Sequence, residues 1–381
     1  MALSKIDVAN MLTGLVPNDN TIRRPNATPL IINGDMQVAQ RSVSETGKTS
    51  ADYYTCDRMH SNIDSIGTYT IIQESLSSGN AYINGFTKAW RIDTTTADAS
   101  PASGDNFSFI YSFEGQDLQL FKKGTANAEK FTLAFWVKSN KTGTGNVNLF
   151  DTDNTRLIGG TYTISSADTW EHKVVNFAAD TTGVFTNDNG QSLKIEWFLD
   201  SGTNFSSGTT DTAWGSKQDV DRNASGTLQI ARNTANDWAI TGIQLEVGEY
   251  SSTTLPPFQH ETFEDNLARC QRYYTLISDR ALGDFAVLGL AVIRNAANCT
   301  SFFAHPVTMR TQPSIVEHNT DNVYRQNGTG NSNNDGTAPT IDQGNIQGTS
   351  ISINGFSGLT SGQATTVKIH SGGKLGLKAE L

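Results

Sequence analysis

The chain has 381 residues, of which 36% are hydrophobic and 17% charged, and its abundant Gly, Ser, Thr and Asn suit a β-rich protein with many turns. That length allows sizeable cores without disulfide or metal staples. A formal net charge of −10, with no basic cluster larger than Arg23-Arg24 or Lys122-Lys123, excludes a nucleic-acid surface.

The chain starts "MALSKIDVANMLTGLVPNDN", where Lys5, Asp7 and Asn10 interrupt the apolar residues. No secretory or membrane-spanning segment is read there, and a soluble protein is expected. Val8, Met11, Leu12 and Leu15 share one side of a short helical pattern, ahead of the proline-marked tether "PNDNTIRRPNATP". A disordered terminus and a docking peptide that folds onto a larger assembly both fit. Residues 1–29 are assigned as a docking arm.

Residues 30–258 read as strands. Phe131, Leu133, Phe135 and Val137 alternate onto one face, as do Leu193, Ile195, Trp197 and Leu199. A further run from Ala239 to Val247 aligns Ala239, Thr241, Ile243, Leu245 and Val247, and a less regular one spans Trp170 to Phe177. Turn formers such as "KSNKTGTGN", "DTDNTR" and "TNDNGQ" separate them. Many strands at this spacing, without helices between, predict an antiparallel jelly-roll β-sandwich.

Residues 259–275 predict a connecting helix. Thr262 followed by Asp265 forms a capping pair, and Phe263, Leu267, Cys270 and Tyr274 make one apolar stripe. Pro256 and Pro257 stiffen the exit from the sandwich. Residues 276–381 predict a second, smaller β-sandwich, so the fold class is all-β. The polar stretch 319–348 reads as a long surface loop or an exposed excursion.

Several of these segments carry a resemblance. "LIINGDMQVAQRS", "ITGIQLEVGEYSSTTLPPFQH", "EDNLARCQRYY", "HPVTMRTQPSI" and "LGLKAEL" resemble landmarks of tail-fibre and related virion structural proteins of bacteriophages. The resemblance implies an opening strand over 30–42, a carbohydrate-binding-module-like jelly roll, a homotrimer and a place in the virion. Its partners would be other virion proteins, reached through the arm, and host surface polysaccharide, with no nucleic acid and no membrane insertion. Met36 and Ala39 stand where that pattern has aromatic residues, so no aromatic sugar contact is expected in the opening strand.

Aromatic faces with nearby polar groups are what a sugar site needs. Trp197 lies on the apolar side of its strand and reads as core. Trp136, out of phase with Phe135, and Trp214, in a polar loop with Asp211 and Lys217, are the glycan-binding candidates. The loops at 140–148 and 202–217, the second of which carries Trp214, are the first candidates for contacting glycan. No catalytic or cofactor motif is present, and the six histidines show no metal-ligand spacing. Cys56, Cys270 and Cys299 form no CxxC and read as small buried hydrophobes. "DTDNTR" and "NDNGQ" could hold calcium through their oxygens but read as solvated turns. The expected function is a non-enzymatic fibre or spike component. A capsid decoration or vertex protein and a polysaccharide depolymerase are the alternatives.

Overall fold

In the computed structural model, residues 28–279, 285–317, 323–326, 334–370 and 374–381 are described. The docking arm with Val8, Met11, Leu12 and Leu15 lies outside them, apart from its last two residues. The strands of the larger unit are β1 (Ser44–Lys48), β2 (His60–Asp64), β3 (Thr68–Ser75), β4 (Lys88–Thr96), β5 (Asn106–Glu114) and β6 (Phe131–Lys138). They continue with β7 (Gly143–Asp151), β8 (Arg156–Ile164), β9 (Glu171–Phe177), β10 (Gln191–Ser201), β11 (Gly215–Ser216) and β12 (Asp237–Val247).

These strands form two six-stranded sheets, ordered β1-β3-β4-β12-β6-β9 and β11-β8-β7-β10-β5-β2, with every pairing antiparallel. This is the expected jelly-roll sandwich. The alternation read from the sequence builds its core: Phe131, Leu133, Phe135 and Val137 of β6 face Leu193, Ile195, Trp197 and Leu199 of β10, all buried. Trp90, Phe109, Trp197 and Trp238 meet at its centre, Phe109 lying 4.6 Å from Trp90 and 5.4 Å from Trp197 between ring centroids. Burying side chains of this size stabilises by ~2–3 kcal/mol each.

Strand β12 departs from the expected alternation. Trp238 and Ile240 face the main core, and so do Ile243 and Leu245, while Ala239 belongs to a smaller cluster on the outer face. The phase changes at a bulge between Thr241 and Gln244, where Gly242 takes φ 61°. A left-handed residue inserted into a ladder shifts all later side chains by one position, and glycine meets that conformation without steric cost.

The segment 30–42 is no strand. Asn33 sits at φ 61° and its side chain replaces the ladder: Nδ2 donates to Val38 O (2.9 Å) and Asp57 O (3.0 Å), and Oδ1 accepts from Val38 N (2.9 Å). Asparagine tolerates this conformation because its short side chain bonds locally. The segment is buried as a turn, with Met36 wholly enclosed.

Helix α1 (Phe263–Gln271) begins as expected, with Thr262 Oγ1 accepting from Asp265 N at 3.2 Å. Its apolar stripe is displaced. Phe263 is 52% exposed, Tyr274 lies beyond the helix in a strand, and the buried residues of the helix are Asn266 and Cys270, followed by the buried Tyr273 in the turn after it. The reason is the surface it meets: the turn at 30–38 offers Asp35, which accepts from Asn266 Nδ2, beside Ile32 and Val38.

Beyond α1, β13 (Tyr274–Asp279), β16 (Ser314–Glu317) and β21 (Lys374–Lys378) form a three-stranded sheet. The remaining strands, β14 (Phe285–Asn295), β15 (Asn298–Ala304), β17 (Val323–Gln326), β18 (Asn334–Gly344), β19 (Gly348–Asn354) and β20 (Ala364–His370), close into an antiparallel barrel. The smaller β unit thus takes a closed form around Ile293, Cys299, Ile351, Ile353, Val367 and Ile369. The polar stretch 319–348 contributes β17 and β18 and is not a loop throughout. Its strands escaped notice because hydroxyl and amide side chains there show no apolar alternation.

A buried ionic network joins the two units. Glu380 accepts from Arg41 Nη2 at 2.8 Å and from Arg58 Nη1 at 2.6 Å. Arg58 also donates to Ser112 O and lies 3.5 Å from the Tyr273 ring centroid, and Arg41 lies 3.8 Å from that of Tyr274. Burial opposes ionisation of Glu380, yet the two guanidiniums hold its carboxyl below the usual range. Arg272 and Tyr273 bond Glu114 on β5 in the same way. The "QRYY" string is therefore an architectural joint. All three cysteines are free and buried.

Candidate functional site

The bulge in β12 also shapes the outer face of its sheet. There Trp136 of β6 sits opposite Thr241 of β12 on one side and His172 of β9 on the other. The Trp136 and His172 rings lie 5.0 Å apart. Facing them are Phe86, from the turn after the short helix Gly79–Ile83, and Phe258 and His260, from the segment leaving β12. Phe86 lies 4.9 Å from Phe258 and 5.2 Å from His260.

Gly242 lies between the two aromatic groups. A Cβ there would stand 2.7 Å from Phe86 Cζ and 3.0 Å from Trp136 Cδ1, so only glycine lets both rings approach the strand. The result is a cleft of about 420 Å³, lined also by Asn84, Gln244, Ser252, Leu255, Pro256 and Pro257. Its size and mixture of aromatic and polar groups suit a small-molecule site.

The polar groups are oriented. Asn84 Nδ2 donates to Asn80 O at 2.8 Å, and Gln244 Nε2 donates to Pro256 O at 3.0 Å. Burial, with a smaller contribution from Lys173, lowers the His172 pKa and keeps its imidazole neutral. His260 Nδ1 lies 3.8 Å from Asp35 Oδ2.

The other three candidates lie elsewhere. Trp214 is half-buried: its indole donates to Ala178 O at 2.7 Å, and its ring packs 6.0 Å from Phe131, at the opposite end of β6 from Trp136. It covers Lys123, whose buried ammonium reaches Asp151 Oδ2 (2.5 Å), Asp180 Oδ2 (3.0 Å) and Gly183 O (2.8 Å). Burial opposes ionisation of Asp180, but hydrogen bonds from Arg156 and Lys123 lower its pKa. Lys217 pairs with Asp219 at 2.8 Å. The Asp211 carboxyl, its pKa raised by burial and then by Asp221, belongs to the same loop side.

Of the two loop regions, 140–148 enters strand β7 at Gly143, with β8 and β10 paired on either side of that strand, and 202–217 holds the helical turn Thr203–Ser206 and the short β11. In "DTDNTR", Asp151 is engaged by Lys123 and Asn154, and Asp153 Oδ2 accepts from Thr186 N. In "NDNGQ", Asp188 Oδ1 accepts from Gly190 N. Trp136 is thus the one candidate placed in the cleft. Phe86, Phe258, Gln244, His172 and His260 escaped sequence reasoning, and the one available signal was the glycine interrupting the alternation of β12.

No protein-family model and no curated protein matches the chain. Among solved structures, a tailspike protein 4 domain of bacteriophage CBA120 is 11% identical, with a TM-score of 0.27 over 57% of this chain and 21% of that one. The chain therefore spans about a fifth of that protein's length. A family 11 carbohydrate-binding module of Clostridium thermocellum is 9% identical (TM-score 0.25; 54% of this chain, 97% of that one). The module TmCBM61, in complex with β-1,4-galactotriose, is 7% identical (TM-score 0.27; 58% and 99%). At these scores the fold assignment rests on the strand order and register of the two sheets.

Proposed function

We propose that the chain is a non-enzymatic glycan-binding component of a bacteriophage fibre or spike, attached to the particle by residues 1–29 and assembled as a homotrimer. The observation that carries the glycan reading is the cleft around Gly242. Trp136 and Phe258 offer apolar faces for a sugar ring, beside the amides of Asn84 and Gln244 and the imidazoles of His172 and His260. The virion reading is supported by the sequence landmarks, whose residues Arg41, Arg272, Tyr273, Tyr274 and Glu380 are the ones that make the joint.

One such site binds weakly, since an aromatic face adds ~1 kcal/mol beyond area burial. Three copies engaging one surface would raise the apparent affinity by about 10²–10⁴. The test is adsorption of the purified chain to host cells, with a Trp136→Ala variant beside it. Adsorption lost in the variant supports the reading. Failure of the intact protein to adsorb favours a decoration protein without receptor binding, and release of reducing sugar favours a depolymerase.

A further inference from the structure

We infer that the cleft around Gly242 takes an uncharged saccharide and rejects acidic ones. This rests on the glycan reading and deepens it to a class of ligand. Among the described residues, the twelve that line the cleft include no Asp, Glu, Lys or Arg. An acidic sugar carries a carboxylate, sulfate or phosphate, which a protein site holds by charge-assisted bonds from Arg, Lys or a cluster of N–H donors. The cleft offers the opposite.

Both of its amides direct an N–H at a backbone carbonyl, Asn84 at Asn80 O and Gln244 at Pro256 O. A carbonyl can only accept, so these partners settle which amide atom is which and leave Asn84 Oδ1 and Gln244 Oε1 as acceptors. Acceptor oxygens suit the hydroxyl donors of a neutral sugar and repel an anion. His172 is held neutral by burial. Asp35 near His260 and Glu246, which accepts from Gln244 Nε2 at 3.3 Å, add negative potential to the surroundings, in a chain of formal net charge −10.

Affinity electrophoresis of the full chain tests this, in native gels containing a panel of neutral polysaccharides (dextran, mannan, galactan, xylan) or the sulfated form of each. Retardation by at least one neutral polymer and none by its sulfated form is expected. Trp136→Ala should weaken that retardation at least about tenfold. Asn84 is exposed, so Asn84→Lys should leave the fold intact. By adding the missing cation, it should bring retardation by the sulfated polymer. Retardation by sulfated polymers only, or equally by both forms, would overturn the selectivity while leaving glycan binding in place. Retardation by no polymer would overturn the glycan reading and this inference with it.

Discussion

Arg58 and Glu380, 322 residues apart in sequence, meet at 2.6 Å in the buried joint between the sandwich and the C-terminal sheet. Both side chains are almost wholly enclosed, at 1% and 2% exposure, and Glu380 also neutralises Arg41. Removing one partner of a buried pair leaves an uncompensated charge, which costs ~3–5 kcal/mol. Glu380→Gln should therefore lower the unfolding free energy by about that much, with two guanidiniums left facing an amide. Urea unfolding followed by tryptophan fluorescence measures it, and a midpoint equal to that of the parent would refute the assigned role of the network.

Gly242→Ala should damage stability and binding together. Its φ of 61° is strained for alanine, and the added methyl would press on Phe86 and Trp136. A destabilisation of about 1–3 kcal/mol is expected, with weakened saccharide retardation in the same gels. Ala substituted at Gly47, also at positive φ but with nothing near its Cβ, is the control that carries strain alone and should bind normally.

His60 sets part of the acid sensitivity. Burial is the main cause that lowers its pKa to about 4, outweighing Asp52, and its ring stands edge-on to Tyr53 at 4.8 Å. The unfolded chain protonates histidine near pH ~6.5, so the native state binds fewer protons between that pH and about 4. The stability from a neutral His60 is thus present above pH ~6.5 and lost as the pH falls towards 4. Relative to His60→Gln, the parent should lose about 2–3 kcal/mol across that window. Parallel pH profiles of the two proteins would show no divergence if the imidazole were freely solvated.

Removing residues 1–27 should leave the melting curve of the described residues unchanged. The described contacts of the joint are made by residues from Arg41 onward, and Arg269 holds the chain at Pro29 O (2.6 Å). Incorporation into particles should be abolished, as a docking arm requires. Truncated protein found at full occupancy in purified virions would end that assignment. Light scattering of the intact chain should give three times the chain mass, and a monomer at micromolar concentration would count against the trimer.

The sequence by itself determined what local periodicity and composition encode. Alternation in 131–138 and 193–199 located two central strands and their buried faces, because successive side chains of a strand point to opposite sides whatever lies beyond it. Trp197 as core, the Thr262 cap and the buried cysteines were legible for the same reason: each depends on its own neighbours in the chain. Tertiary structure alone decided the rest. The turn at 30–38 replaced an expected strand because Asn33 and Asp57 found each other, and the buried face of α1 followed the surface it met. The cleft joins Phe86, Trp136, His172, Gly242 and Phe258 from five separate segments. Glu380 meets its arginines only after more than 300 residues have folded between them. Sheet crossovers and a one-residue bulge create those encounters, and neither leaves a period in the sequence, only a glycine where an alternating strand would place a side chain.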